Sequence, residues 1–205
     1  MKIGPKYKIA RRLGAAVFDK TQTQKYDLAL QKKGQQRRTG RRPKQLSQYG
    51  VQLREKQKAR YSYLVPEKQF ANYVKAAMST NAGTPADQLY QRLEMRLDNV
   101  AHRLGLAPTK TAARQLVSHG HVHVNGRRNN IASHGVSVGD VISIREQSKN
   151  TKLFDNLKER LENYNPPAWL SFDENSLTGK VEGRPQLKGA DLLFDIQAIL
   201  EFYSR

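Results

Sequence analysis

Cysteine is absent from this sequence of 205 residues, and its absence excludes several kinds of chemistry. Disulfides, thiol nucleophiles and cysteine-bound zinc or iron–sulfur centres cannot form. Apolar runs are short, since none approaches the ~18 residues of a transmembrane helix, and no apolar signal-peptide region follows the start. The sequence also has no Gly-rich phosphate loop, no HExxH sequence and no Ser/His/Asp set, so that no class of enzyme has positive support. We therefore expect a protein that binds rather than catalyses.

Acidic residues are scarce in the first third of the chain, where basic residues are abundant. Residues 1–75 hold 20 basic and 4 acidic residues, whereas residues 76–205 hold 16 and 14, so that nearly all of the net charge of +18 lies early. Self-repulsion within a block of one sign is relieved by phosphates, which favours a nucleic acid partner. A membrane surface is disfavoured because residues 1–45 show no clear apolar face.

Helical periodicity begins at residue 47. Ser47 is a predicted N-cap for a helix that runs to about Tyr63, and Pro66 suits the first turn of a second helix. A third helix is predicted from Thr84-Pro85 to Leu104, where Gly105 stops it. Its buried face is formed by leucine and valine residues that recur three or four positions apart, at 89, 93, 97, 100 and 104.

The period changes from helical to strand-like after a short helix that Thr109 caps. Val122 and Val124 alternate with histidines, and Asn125-Gly126 is a strong hairpin signal. A second strand is predicted at 141–145, so that a small, mostly antiparallel sheet follows the helices. The pattern then predicts a helix over 149–164, an extended piece over 169–172 that covers the sheet, and a last helix over 191–203 that returns to the earlier helical layer.

The predicted fold class is α+β: a helical domain with an inserted module, in which two helices pack on a small, mostly antiparallel sheet, plus a basic N-terminal arm. The boundaries are 1–46 for the arm, 47–87 with the tail 186–205 for the helical domain, and 88–185 for the module with a β extension. Residues 32–44 carry seven basic residues and little apolar area. We expect this run to be irregular until it binds, with a solvated basic linker as the alternative.

Three histidines and one aspartate are candidates for other kinds of site. His119, His121 and His123 share one face of a regular strand and have a spacing that can hold a metal ion. Neighbouring arginines would repel a cation, so an RNA-facing polar surface is favoured over a metal site. Asp98 is a candidate catalytic acid, but an intrahelical ion pair with Arg96 or Arg103, or a bond to the backbone of the next element, is favoured.

Several sequence motifs carry a resemblance to a known family. The stretches RLDNVAHRLGL, ARQLVSHGHVHVNGR and GDVISIRE resemble the RNA-binding module named after small-subunit ribosomal protein S-four. Pseudouridine synthases, some tyrosyl-tRNA synthetases and heat-shock RNA-binding proteins share this module. The flanking LSQYGVQLREKQKARYSYLVPEKQF, the opening GPK, the segment PPAWLSFD and the final EFYSR distinguish the chain from these. It is identified as a member of the bacterial or organellar ribosomal family over essentially all 205 residues.

The resemblance implies a structural role in the small ribosomal subunit. Members bind the 5′ domain of the small-subunit ribosomal RNA at a multi-helix junction early in assembly, contact ribosomal protein S-five and line the place where messenger RNA enters, which bears on decoding accuracy. It implies no enzyme, no cofactor, no membrane, and a location on cytoplasmic or organellar ribosomes. A translational repressor acting off the ribosome is the alternative. Some members bind zinc through cysteines in the arm, whereas residues 8–33 have none here, so that this arm is organised without that metal.

The predicted RNA contacts are mostly Lys and Arg, which release counterions from phosphates, with a few polar and aromatic neighbours. They are Lys6, Lys8, Arg11, Arg12, Arg37, Arg38, Arg41, Arg42, Lys44, Tyr49, Arg54, Lys56, Arg60, Arg96, Arg103, Lys110, Thr111, Arg114, His119, His121, Asn125, Arg127 and Arg128.

Overall fold

The computed structural model divides the chain into two compact units. One, which we call the helical unit, combines residues 1–86 with 188–205, and the other, the sheet unit, spans 87–187. The structure describes residues 3–36, 45–80, 83–149, 151, 154, 157–161, 164–173, 176–187 and 192–204.

Helices of both ends of the chain form the helical unit. Their bounds are α1 Lys6–Leu13, α2 Gln24–Gln36, α3 Gln48–Ser62, α4 Glu67–Met78 and α10 Ile196–Tyr203, with a 3₁₀ turn at Asp19–Thr21. Helix α10 packs on α3 and α4, which confirms the predicted return of the last helix to the earlier helical layer. Phe70, Val74 and Ile199 are fully buried in this unit, so that apolar burial holds the two ends of the chain together.

Polar caps set the helix starts that the sequence predicts. The Ser47 hydroxyl accepts a hydrogen bond from Gly50 N at 3.2 Å, which confirms Ser47 as the N-cap of α3. The Asp195 carboxylate accepts one from Gln197 N at 2.8 Å at the start of α10. Each cap satisfies backbone N–H groups that the first helical turn leaves without a partner.

The N-terminal segment has an apolar core of its own, so that the absence of an apolar face in residues 1–45 was a wrong prediction. Ala10, Leu13, Val17, Phe18 and Tyr26 are buried together with Leu64. The cluster forms because Ala10 and Leu13 share one face of α1 and Gly14 then turns the chain at a φ of 69°. Ring contacts of 5.2 Å between Tyr7 and Tyr26 and 5.7 Å between Phe18 and Tyr61 extend it.

The run predicted to be irregular, residues 32–44, belongs only in part to the described residues. Helix α2 continues to Gln36, and residues 37–44 lie outside them.

The sheet unit begins with helices and ends with strands. Its elements are α5 Pro85–Glu94, α6 Leu97–Arg103, α7 Lys110–Ser118, β1 Val122–Val124, β2 Arg127–Arg128, β3 Val141–Ile144, α8 Glu146–Lys149, α9 Leu157–Leu161, β4 Leu170–Asp173 and β5 Thr178–Val181. The strands form one sheet in the order β2-β1-β3-β5-β4, with antiparallel neighbours throughout. Leu97, Leu104, Val122 and Ile142 belong to the core between the helices and the sheet. This arrangement confirms the α+β fold class.

The hairpin between β1 and β2 forms at the predicted place. Asn125 and Gly126 have positive φ angles of 51° and 76°, as a two-residue turn of the primed type requires. The Asn125 side chain donates to Asp140 Oδ1 at 2.8 Å and accepts from Val141 N at 2.9 Å, so that it also ties the turn to β3.

The predicted single helix over 85–104 is wrong, because the chain breaks it at Met95 and Arg96. Arg96 is extended, with φ −75° and ψ 139°, and pairs with Gly135 as an isolated bridge. Val136 N donates to Met95 O at 2.9 Å and Leu97 N donates to His134 O at 2.8 Å. A strand-like pairing with a distant loop therefore replaces one helical turn, and no local propensity signals it.

The segment after β3 also differs from the predicted helix over 149–164. Helix α8 ends at Lys149, where the predicted helix would begin, and α9 covers only Leu157–Leu161 of the predicted range. Residues 150, 152–153, 155–156 and 162–163 lie outside the described residues. The following segment is extended as predicted, but it is an edge strand of the sheet rather than a cover, since Leu170 pairs with Val181.

Candidate nucleic-acid interface

Asp98 joins two arginines inside the sheet unit. Arg96 is 1% exposed, and its Nε and Nη2 donate to the two carboxylate oxygens of Asp98 at 3.0 and 2.8 Å. Arg114 donates from Nε and Nη2 to Asp98 Oδ2 at 2.9 and 2.6 Å, and so links α7 to the start of α6. The predicted ion pair of Asp98 is confirmed. The charge of Arg96 is buried and bound to that carboxylate, so that the pair contributes to the fold, while the contact of Arg96 with RNA stays a prediction.

Glu94 is the second buried carboxylate of the sheet unit. Arg103 donates to both of its oxygens at 3.0 Å, and the Asn99 amide donates to Oε2 at 2.9 Å. The Glu94 side chain is 1% exposed and that of Arg103 is 36% exposed. Arg103 and Arg114 thus hold the helices together, while their contact with RNA stays a prediction.

Basic residues of a different kind lie around the end of α7 and the adjoining strands. Arg127 and Arg128 are exposed and Arg145 is half-buried. Within the described part of the chain, no salt bridge includes any of the three. Because a phosphate requires cations that the protein does not already neutralise, these three arginines are candidates for phosphate contacts. Sequence reasoning missed Arg145, although it directly follows β3, the strand that pairs with the histidine strand β1.

Two histidines face the same region. The ring centroids of His119 and His121 are 6.0 Å apart, and His121 Nδ1 lies 2.9 Å from Ser148 Oγ. Burial and the nearby charges of His119, Arg145 and Arg128 lower the pKa of His121. A neutral imidazole surrounded by cations marks a locally positive potential. His119 is exposed, whereas His123 is half-buried on β1.

The first turn of α7 carries two further predicted contacts. Thr109 caps this helix by accepting a hydrogen bond from Ala112 N at 3.1 Å, which confirms the predicted helix start. Lys110 is half-buried and Thr111 is exposed directly after the cap. Both remain predicted RNA contacts, as does the exposed turn residue Asn125.

Glu67 binds two of the predicted contacts in the helical unit. Lys56 Nζ donates to Glu67 Oε1 at 2.8 Å and Arg60 Nη1 donates to Oε2 at 2.9 Å. Lys56 is only 6% exposed and its Nζ lies 4.5 Å from the ring centroid of Phe202, so that it is buried rather than on the helix surface, while its contact with RNA stays a prediction. The Tyr203 hydroxyl also donates to Glu67, at 2.8 Å.

The ionisation of this cluster follows from its contacts. Burial acts to raise the pKa of Glu67, but hydrogen bonds from Lys56 and Tyr203 and the charges of Lys56 and Arg60 outweigh it and lower that pKa. Burial and the hydrogen bond to Glu67 raise the pKa of Tyr203. The cluster therefore exists as a carboxylate between cations and a neutral phenol, which stabilises the docking of α10.

The remaining predicted contacts of the helical unit differ in exposure. Lys8 and Arg12 are exposed on α1, while Lys6, Arg11 and Arg54 are half-buried. Lys6 lies 5.7 Å from the Phe18 ring centroid and Arg11 Nε donates to Tyr7 O at 3.2 Å.

Tyr49 is 52% exposed, with its ring 5.5 Å from that of Phe202, and keeps a free face for stacking. Predicted contacts outside the described residues are Arg37, Arg38, Arg41, Arg42 and Lys44.

The described residues offer neither a metal site nor a membrane-spanning helix. Among the described residues, no three His, Asp or Glu side chains are grouped so that they could hold a metal ion. In the same part of the chain, no helix is long and apolar enough to cross a membrane.

Comparisons with known proteins agree with this geometry. Residues 95–142 match the family described as S4 domain, and residues 1–94 match the one described as Ribosomal protein S4/S9 N-terminal domain. Small ribosomal subunit protein uS4 of Herpetosiphon aurantiacus is 44% identical over 208 residues, with 98% of each chain covered. The protein of that name from Chloroflexus aurantiacus is 44% identical over 209 residues, covering 99% of this chain and 98% of the relative. That from Syntrophomonas wolfei is 47% identical over 166 residues, covering 81% and 78%.

The fold, the basic surface and these matches define an RNA-binding ribosomal protein of the small subunit. The chain belongs to the family of small ribosomal subunit protein uS4, which is not a class of enzymes.

Proposed function

We propose that the protein is a structural constituent of the small ribosomal subunit and binds the 5′ domain of its ribosomal RNA early in assembly. The observation that carries this proposal is the similarity to uS4 proteins across 98% of the chain, which includes both units and not only the shared RNA-binding module. Two further features support it: arginines of the sheet unit that no carboxylate of the described residues neutralises, and exposed basic residues on α1. Such a chain binds without catalysing a reaction.

The test measures binding of the whole chain to separate domains of small-subunit ribosomal RNA. We expect tight binding to the 5′ domain and much weaker binding to the 3′ domain, with affinity that falls steeply with salt because counterions are released. Equal affinity for both fragments would contradict the proposal. Recovery of the protein at one copy per salt-washed small subunit would separate the ribosomal role from that of a translational repressor acting off the ribosome.

Further partners follow from the same proposal. Ribosomal protein S-five and messenger RNA where it enters the subunit are the neighbours that we expect, with an effect on decoding accuracy and a location on cytoplasmic ribosomes. Crosslinking of assembled subunits, followed by mass spectrometry, tests these contacts directly. Subunits in which the protein crosslinks only to RNA segments remote from the messenger path would contradict this part.

The contacts that we propose are the predicted basic and polar residues that the structure leaves at the surface. In the sheet unit these are Lys110, Thr111, His119, Asn125, Arg127 and Arg128, and in the helical unit Lys8, Arg12, Tyr49 and Arg54. The domain boundaries proposed from the sequence likewise assign the main RNA-binding module to residues 88–185.

A further inference from the structure

Two arginine and two histidine side chains lie where α7 ends, β1 begins and β3 ends. We call this group the basic corner: Arg128, Arg145, His119 and His121. Backbone pairing brings them together, since Arg145 N donates to His121 O at 2.9 Å. Arg128 Nη2 reaches back to donate to His119 O at 3.4 Å. The corner is therefore fixed by the fold of the sheet rather than by long side chains that happen to be neighbours.

Gly120 gives the Arg128 guanidinium its place. The backbone of Gly120 has a φ of 74°, and a Cβ added there would overlap Arg128 Nε and lie 2.7 Å from Nη2. The guanidinium thus lies flat against a residue that has no side chain. A larger residue would strain the backbone and push the guanidinium away from the corner.

No acidic group neutralises the corner in the described part of the chain. The Arg145 side chain donates to the amide oxygen of Gln147, and His121 is hydrogen-bonded to the Ser148 hydroxyl, so that both partners are neutral. Glu146 is the nearest carboxylate in sequence, and it pairs instead with Lys149 at 2.7 Å. Like charges held together without a counter-charge are relieved when an anion binds between them.

We propose that the basic corner holds a single phosphodiester group of the RNA, with Arg128 and Arg145 as its two charged donors and His119 at its rim. This inference rests on the proposed function and assigns one part of the interface. Guanidinium groups suit the role because they donate several hydrogen bonds to phosphate oxygens in a fixed geometry. Arg145 then becomes an RNA contact that the sequence motifs do not reveal.

A matched control lies elsewhere on the sheet unit. Arg184 is exposed, forms no salt bridge with another described residue and is not among the proposed RNA contacts. Arg184→Gln removes the same charge from the same unit without touching the corner. It separates the effect of the corner from a general effect of net charge.

The experiment measures binding of the full chain to the 5′ domain RNA over a salt series for Arg128→Gln, Arg145→Gln, the double variant and Arg184→Gln. Each single corner variant should bind about 3- to 10-fold more weakly. If one phosphate is shared, the double variant should reduce the salt slope by about 1 rather than about 2. Arg184→Gln should lose less affinity than either corner variant.

Two results would overturn the inference: equal losses for Arg184→Gln and Arg128→Gln, or a change of about 2 in the slope for the double variant. Thermal unfolding of each variant identifies any loss that comes from misfolding. Gly120→Ala, which keeps every charge but displaces Arg128, gives a second test and should also weaken binding. Failure of the inference leaves wild-type binding intact, whereas failure of the proposed function removes the wild-type preference for the 5′ domain.

Discussion

Six arginines of the sheet unit form two groups that differ in whether a carboxylate binds them. Arg96, Arg103 and Arg114 donate to the carboxylates of Asp98 and Glu94. Arg127, Arg128 and Arg145 form no salt bridge within the described residues. The first group joins helices to one another, and the second leaves positive charge for a partner. A basic sequence is therefore a poor measure of a basic surface, because burial and pairing decide which charges a polyanion meets.

The largest expected effect comes from removing a carboxylate of the first group. Asp98→Ala removes the carboxylate to which the buried Arg96 and Arg114 both donate, and should lower the free energy of unfolding by about 3–5 kcal/mol. Urea denaturation followed by circular dichroism measures this loss. A loss below about 1 kcal/mol would mean that water replaces the carboxylate and that the two groups are not distinct.

A charge reversal in the same group comes next. If Arg114 were only an RNA contact at the surface, as the sequence predicts, Arg114→Glu would weaken RNA binding and hardly change the stability. The structure predicts the opposite for stability, because the new carboxylate would face Asp98, which is 5% exposed, and should cost about 2–3 kcal/mol. Thermal and urea unfolding of Arg114→Glu decide between the two, with Arg127→Glu as the exposed control.

The helical unit repeats the comparison on a smaller scale, because Lys56 and Arg60 are paired while Lys8 and Arg12 are exposed. Glu67→Gln should lower the free energy of unfolding by about 1–2 kcal/mol, since the Glu67 side chain is partly exposed and its ion pairs are screened. The lowered pKa of Glu67 gives the sign for pH: its contribution is present at neutral pH and is lost as the pH falls through the folded-state value.

Unfolding measured across pH 2–7 should therefore show a smaller acid-induced loss for Glu67→Gln than for wild type. Identical pH profiles would contradict the assignment of Glu67 as the centre of this cluster.

The smallest expected effect concerns His121, which lies near Arg128 and Arg145 of the second group. Its lowered pKa means that the unfolded state binds a proton more readily, so stability falls slightly as the pH drops from the ordinary histidine pKa to the folded value. Arg128→Gln removes one of the charges that lower this pKa, and the pKa should rise. NMR titration of His121 in both proteins measures the change, and an unchanged pKa would place Arg128 away from the ring.

Local signals in the sequence predicted much of the fold. Ser47, Thr109 and Asn125-Gly126 act within a few residues of themselves, and each sets the element that its type favours. The break at Met95 and Arg96 depends on pairing with residues 132–136, which local periodicity cannot detect. The apolar cluster around Phe18 was hidden in a similar way, because it is completed by Tyr61 of α3 and by Leu64, which follows that helix.

Composition predicted the interface, and the folded chain shows which of the predicted residues are at the surface. Basic residue type selected Arg127 and Arg128, which are exposed, but also Arg96 and Lys56, whose partners Asp98 and Glu67 are visible only in the folded chain. Composition did not select Arg145, which we propose as a further contact. It stands alone in a strand-rich segment, and only the pairing of its backbone with His121 brings it to the corner.

The helical unit is built from both ends of the chain, and this affects the order of events during synthesis. A ribosome translating this protein completes residues 87–187 before it reaches α10, which supplies the buried Ile196 and Ile199 and the Tyr203 hydroxyl bound to Glu67. The residues of the sheet unit are thus all available while the helical unit still lacks α10. At that stage of synthesis α3 and α4 still expose the apolar surface that α10 later covers.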